Sequence, residues 1–82
     1  MTDTNEVKAP MPGVFYRRPD PDEEPFVEEG DHVEAGDTVG LVEVMKQYND
    51  ITTSEAGTVQ QFRVGDEEDV AAGDVVVEIA PE

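Results

Sequence analysis

One segment of this 82-residue chain occurs twice, and the duplication restricts the fold more than any other feature. Phe26 to Val39 resembles Phe62 to Val76. Val33, Ala35, Gly36, Asp37 and Val39 recur 37 positions later as Val70, Ala72, Gly73, Asp74 and Val76. Setting Gly65-Asp66 against Gly30-Asp31 gives the second copy two extra residues before Val70. Two copies are too few for a solenoid, which needs at least about three units to bury a continuous core. The repeat therefore implies a pseudo-two-fold axis inside one small domain.

The repeated residues also set the secondary structure. Each copy contains two Gly-Asp pairs, six residues apart in the first copy and eight in the second. Gly supplies the positive φ of tight turns and Asp bonds nearby backbone, so only short strands fit between them. Val39 to Val44 and Asp74 to Ile79 are valine-rich and lack the spacing of an amphipathic helix. Tyr48 to Thr53 and Thr58 to Phe62 are further strand candidates. These features predict an all-β sandwich or flattened barrel of roughly seven or eight short strands. Val33, Val39, Val42, Val44, Ile51, Val59, Val70, Val76 and Ile79 are the expected core. Residues 1–8 are expected to form a flexible N-terminal tail, with one domain over residues 9–82. Pro19, Pro21 and Pro25 exclude an interior strand from the segment Arg17 to Pro25, which is expected to be a protruding loop.

Charge decides which partners such a domain tolerates. Twenty-one acidic residues against five Lys and Arg give a formal charge of −16. Repulsion of that density opposes compaction at low ionic strength, and salt relieves it, since the screening length falls from about 10 Å at 0.1 M to about 3 Å at 1 M. A salt-accumulating halophile is the expected source. High charge is also the signature of disorder, but the valine pattern opposes that reading. Nucleic acids and anionic membranes would be repelled. No cysteine is present, which excludes disulfides, thiolate metal sites and cysteine nucleophiles. No signal peptide or membrane-length apolar run is seen, so the expected location is cytoplasmic.

Against this background Lys46 stands out, because it is one of only two lysines. It falls between the strand candidates Val39 to Val44 and Tyr48 to Thr53, at the tip of a hairpin between the two copies. Two-residue hairpins favour Asn-Gly or Asp-Gly, since both central residues need φ > 0, and Met45-Lys46 has neither. A turn that defies its own propensities points to function. Taken alone, Lys46 reads as an ordinary exposed lysine; its place near the pseudo-symmetry axis argues otherwise. His32, the sole histidine, lies in a turn and is expected to be solvated rather than catalytic or metal-bound. Asp66, Glu67, Glu68 and Asp69 lack EF-hand spacing and are expected to be solvated charge.

Ala9-Pro10-Met11-Pro12-Gly13-Val14-Phe15-Tyr16-Arg17, Gly30-Asp31-His32-Val33, Gly36-Asp37-Thr38, Val42-Glu43-Val44-Met45-Lys46 and Gly57-Thr58-Val59 together resemble the biotinyl domain of biotin carboxyl carrier proteins, especially those of bacterial-type acetyl-CoA carboxylase. The likeness runs from about Ala9 to Ile79. It implies a barrel-sandwich hybrid: a flattened barrel of two antiparallel sheets, each of about four strands. It implies biotin as covalent cofactor on Lys46, with Glu43 and Met45 recognised by a biotin protein ligase. The segment Arg17 to Pro25 corresponds to the family's thumb, where backbone groups, Arg17 and Arg18 are the expected contacts to the biotin ring. Val44 stands where the family has Ala, and Gln47 where it has a second Met. Either change is expected to slow modification or to alter the carboxylated state. Related lipoyl domains carry Asp-Lys-Ala, absent here, which leaves a lipoylated or unmodified interaction domain as the alternative reading.

The resemblance further implies a non-catalytic carrier of an acyl-CoA carboxylase, acting on acetyl-CoA or propionyl-CoA. Its biotinylated arm would move a carboxyl group from a biotin carboxylase to a carboxyltransferase. Tethering replaces diffusion by a high local concentration at both sites.

Overall fold

The computed structural model describes residues 4–20 and 22–81. Eight strands follow in order: β1 (Asn5–Lys8), β2 (Gly13–Tyr16), β3 (His32–Val33), β4 (Thr38–Val44), β5 (Gln47–Thr52), β6 (Gly57–Phe62), β7 (Glu68–Val70) and β8 (Val75–Pro81). They form two four-stranded antiparallel sheets, ordered β1-β8-β6-β3 and β5-β4-β2-β7. Among the described residues there is no helix, and so none that is long and apolar enough to cross a membrane. The molecule is flattened, with extents of 39 × 26 × 20 Å.

The pseudo-two-fold is visible in the pairing. β1 to β4 correspond in order to β5 to β8, and each sheet takes two strands from each half. Phe15 pairs with Val42 on β4, as Val59 pairs with Ile79 on β8. Gly36 N–H donates to Thr53 O at 2.7 Å while Thr53 N–H donates to Asp37 O at 3.0 Å; Gly73, Ala9 and Asp74 repeat that exchange at 2.9 Å for both bonds. Gly36 and Gly73 both have positive φ, at 94° and 90°.

The structure corrects the register of the repeat. No residues are inserted in the second copy: the interval of 37 holds through the whole turn. Asp31 Oδ2 accepts from Glu28 N–H at 2.9 Å, and 37 residues on Glu68 Oε1 accepts from Gly65 N–H at 2.9 Å. Gly30 and its counterpart Glu67 both have positive φ, at 97° and 63°. Gly65-Asp66 thus matches Glu28-Glu29, not Gly30-Asp31. The misalignment has a physical cause. The left-handed site is a glycine in one copy and a glutamate in the other, and a longer carboxylate does the capping that Asp does elsewhere.

The N-terminal expectation also needs correction, because residues 5–8 are a strand rather than part of a flexible tail. Asn5, Glu6 and Val7 pair with Ile79, Glu78 and Val77, and Val7 is buried. A single inward valine among polar neighbours left little signal. Residues 1–3 of that expected tail lie outside the described residues. Eight of the nine expected core residues are buried, and Val44 is half-buried against the core. Phe15, Val77, Val27, Val7 and Ala9 complete the core cluster. At about 25 cal/mol per Å² of apolar surface, such valine-sized side chains contribute roughly 1.5–3 kcal/mol each when fully buried.

Each half contains one close approach between neighbouring strands, β2 on β4 in the first and β6 on β8 in the second. A Cβ on Gly57 would collide with the Ala80 carbonyl oxygen, and one on Gly13 with the Glu43 carbonyl oxygen. The two collisions are related by the same pseudo-two-fold.

Candidate functional site

The join between the halves is a two-residue hairpin. Val44 and Gln47 are the last pair of β4 and β5, leaving Met45 and Lys46 as the turn, as the sequence leads one to expect. Met45 has φ 51° and Lys46 has φ 67°, the paired left-handed geometry that matches the twist of a hairpin. Neither residue has the glycine or asparagine chemistry that makes such geometry comfortable, and each L-residue held there costs roughly 1–2 kcal/mol. Met45 is 92% exposed. Lys46 is exposed as well, with no hydrogen bond or ion pair to any described residue. Its amine is thus open to an incoming electrophile while its backbone is fixed by the ladder beneath.

Glu43 lies three residues back on β4, half-buried, and accepts a 2.9 Å hydrogen bond at Oε1 from the Tyr16 hydroxyl of β2. The bond to the Glu43 carboxylate raises the Tyr16 pKa above the ordinary phenol value, because it favours the neutral, donating form; desolvation and the nearby carboxylates add to it. Tyr48 is the cross-strand partner of Glu43 and is 60% exposed. Its ring centroid is 6.1 Å from that of Tyr16, with the planes at 58°. Sequence reading singled out Glu43, Met45 and Lys46 and missed both tyrosines. The available signal was Glu43 itself, a carboxylate on a strand among valines that requires a donor.

The segment Arg17 to Pro25, expected to be a thumb, falls in the long β2–β3 connection, residues 17–31, against residues 63–67 in the corresponding β6–β7 connection. Pro21 lies outside the described residues; the rest of Arg17 to Pro25 contains no strand, as expected. Its root is pinned to the other half. Arg17 N–H donates to Asp66 Oδ1 at 2.8 Å, Arg18 Nε lies 3.6 Å from Asp66 Oδ2, and the Arg17 guanidinium sits 4.0 Å from the centroid of the Phe62 ring. Asp66 is therefore a structural anchor and not merely solvated charge. Arg17 and Arg18 are both engaged within the protein. A cavity of about 190 Å³ opens beside the thumb, lined by Tyr16, Tyr48 and Glu67 together with Arg18, Pro19 and Asp20.

His32 lies on β3, exposed, with Nε2 at 3.1 Å from Glu34 Oε2. Among the described residues no group of three or more His, Cys, Asp or Glu side chains could hold a metal ion.

A two-sheet fold that presents one exposed lysine on a fixed turn between related halves is that of a carrier domain with a covalently attached cofactor. The family model described as "Biotin-requiring enzyme" matches residues 5–79, and the chain belongs to that biotin- and lipoyl-attachment family. The chain is 40% identical over 75 residues to the biotin carboxyl carrier protein of acetyl-CoA carboxylase 2, chloroplastic, of Arabidopsis thaliana, covering 92% of this chain and 29% of that protein. It is 40% identical over 77 residues to the biotin carboxyl carrier protein of acetyl-CoA carboxylase of a Nostoc species, covering 94% of this chain and 42% of the relative. Among solved structures, the urea carboxylase of Kluyveromyces lactis matches with a TM-score of 0.80 at 30% identity, over 96% of this chain and 6% of that one. The chain thus spans less than half the length of these relatives. Biotin is the cofactor such a domain carries, and the site accepts it: acylating Lys46 breaks no contact with a described residue.

Proposed function

We propose that this chain is the biotin-bearing region of an acyl-CoA carboxylase, acting on acetyl-CoA or propionyl-CoA, with biotin amide-linked to Lys46 Nζ. The observation that carries this reading is the strained, exposed turn at Met45-Lys46, placed where the two halves meet. Lys46 Nζ forms the amide and gives up its charge, which takes the formal charge from −16 to −17. When bound, biotin supplies the atom on which a carboxyl group is carried. The protein supplies exposure, a rigid base and a hairpin that the ligase recognises through Glu43 and Met45. Its partners on this reading are a biotin protein ligase, a biotin carboxylase and a carboxyltransferase. The chain contributes no catalytic residue. It binds neither nucleic acid nor membrane and works in the cytoplasm of a halophile.

The test is the intact mass of the protein isolated from its native host, with and without Lys46→Arg. A biotinyl adduct that disappears in the variant is the expected result. No adduct in the unaltered protein, or an adduct that survives the substitution, overturns the reading.

A further inference from the structure

The pseudo-two-fold provides an internal control for the surroundings of Lys46. Under the symmetry Tyr16 corresponds to Gln61, because Tyr16 pairs with Leu41 as Gln61 pairs with Glu78. Glu43 likewise corresponds to Ala80, through the pairs Val14–Glu43 and Thr58–Ala80. In the second half Gln61 Nε2 bonds its direct neighbour, Glu78 Oε1, at 3.1 Å. In the first half Tyr16 instead reaches past Leu41, diagonally, to Glu43 Oε1 at 2.9 Å. The fold thus builds one half without a tyrosine–glutamate bridge and places that bridge in the half whose last strand, β4, leads into the Lys46 turn.

The bridge also constrains both sides of the hairpin. Glu43 is three residues before Lys46 on β4, and Tyr48 is two residues after it on β5. Tyr16, on the neighbouring strand β2, touches both: its hydroxyl holds one carboxylate oxygen and its ring packs against that of Tyr48. No described residue bonds Glu43 Oε2, so one oxygen is fixed while the other stays available to a donor from outside. A half-buried carboxylate held by a charge-assisted hydrogen bond loses its rotamer freedom before a partner arrives, which lowers the ordering cost of binding.

We infer that Tyr16 is a positioning residue for the modification of Lys46, holding Glu43 in the rotamer that a biotin protein ligase recognises. The inference rests on the function proposed above. Its chemistry is specific: the hydroxyl acts only through Glu43, while the ring serves Tyr48. Tyr16→Phe removes the first and keeps the second.

Biotinylation of Lys46 by a biotin protein ligase, with ATP and free biotin, is measured for the unaltered domain, Tyr16→Phe, Glu43→Gln and the double variant, with urea denaturation confirming that each is folded. Tyr16→Phe is expected to raise KM for the domain about five- to tenfold, the loss of one positioning hydrogen bond, with kcat within about twofold. The double variant is expected to match Glu43→Gln alone, since holding this side chain in place has no further effect on recognition once its carboxylate charge is gone. A merely structural tyrosine would instead give effects that multiply. Unchanged kinetics in Tyr16→Phe, unchanged kinetics in Glu43→Gln, or multiplying effects in the double variant overturn the inference while the carrier reading stands. An unaltered domain that takes no biotin on Lys46 overturns both.

Discussion

Replacing Met45-Lys46 by Asn-Gly tests whether the hairpin is held against its own propensities. Both residues sit at positive φ, 51° and 67°, where an L-side chain costs roughly 1–2 kcal/mol. Asparagine tolerates that region and glycine occupies it without steric cost. Met45 is 92% exposed, so its removal forfeits almost no buried apolar surface, and Lys46 has no bond to a described residue to lose. Against the relief stands the extra unfolded-state freedom of glycine, about 0.5–1 kcal/mol. The net expectation is a gain of about 1–2 kcal/mol, which for a domain of this size raises Tm by roughly 5–15 °C. The assay is thermal and urea unfolding in about 1 M salt, where screening to about 3 Å suppresses the effect of removing a cation. Met45→Asn alone keeps the lysine; it should capture about half the gain while lowering the rate of biotinylation, a trade of stability against function. An unchanged or lowered Tm in the double variant would refute the claim that the turn stores strain.

The glycine that opens β6 gives an opposite expectation: Gly57→Ala should destabilise by about 3 kcal/mol in urea unfolding, because its Cβ meets the Ala80 carbonyl oxygen and Ile79 Cγ2 and the backbone cannot yield. A loss under about 1 kcal/mol would contradict the packing described. With a formal charge of −16, the folded state should gain Tm steadily with salt through the molar range, and a flat profile would refute repulsion as a governing term. Tyr16 should titrate above the ordinary phenol range in ultraviolet absorbance, and Tyr16→Phe should remove that late phase. Because its pKa is raised on folding, its hydrogen bond stabilises fully below about pH 10 and the contribution is lost as pH climbs through the folded value, so the difference in stability between the unaltered protein and Tyr16→Phe should shrink there.

Much of the fold was legible because the repeat is written in residues with strong local physics. Gly36 and Gly73 turn the chain at φ 94° and 90°, and Asp37 and Asp74 accept from Glu34 and Ala71 N–H at 2.9 and 2.8 Å. Where that vocabulary changes, reading by residue type fails. Glu67 occupies a left-handed position and Glu68 caps the turn, so the Gly-Asp pair at 65–66 attracted the wrong alignment. Lys46 was legible for a similar reason, as a rare cation in a turn of unfavourable composition. Tyr16 and Asp66 were not. Their partners are 27 and 49 residues away, and only the register of β2 against β4 and the placement of the second-half turn bring them together. Solvated charge and structural anchor look the same in a sequence with 21 acids.

The departures from symmetry are more informative than the symmetry. The β2–β3 connection is enlarged into residues 17–31 while β6–β7 keeps residues 63–67. The joined tip of β4 and β5 has as its counterpart two strands not joined to each other by a turn, β8 and β1, paired at Asn5 and Ile79. Tyr16 and Glu43 replace Gln61 and Ala80. All three departures lie on or next to the sheet β5-β4-β2-β7, whose strands carry the hairpin and the root of the thumb. The other sheet also has a feature of its own, the 2.9 Å ion pair of Arg63 with the largely buried Glu78. That pair is explained by its surroundings, since a carboxylate at 9% exposure needs a partner whatever the protein does. No such need accounts for a strained turn with a bare amine, flanked by a tethered carboxylate and an exposed tyrosine. These features, the positive-φ turn, the Glu43 carboxylate tied by Tyr16 and the exposed Tyr48, are concentrated around Lys46 at one end of one sheet, and it is there that the proposed function should be tested.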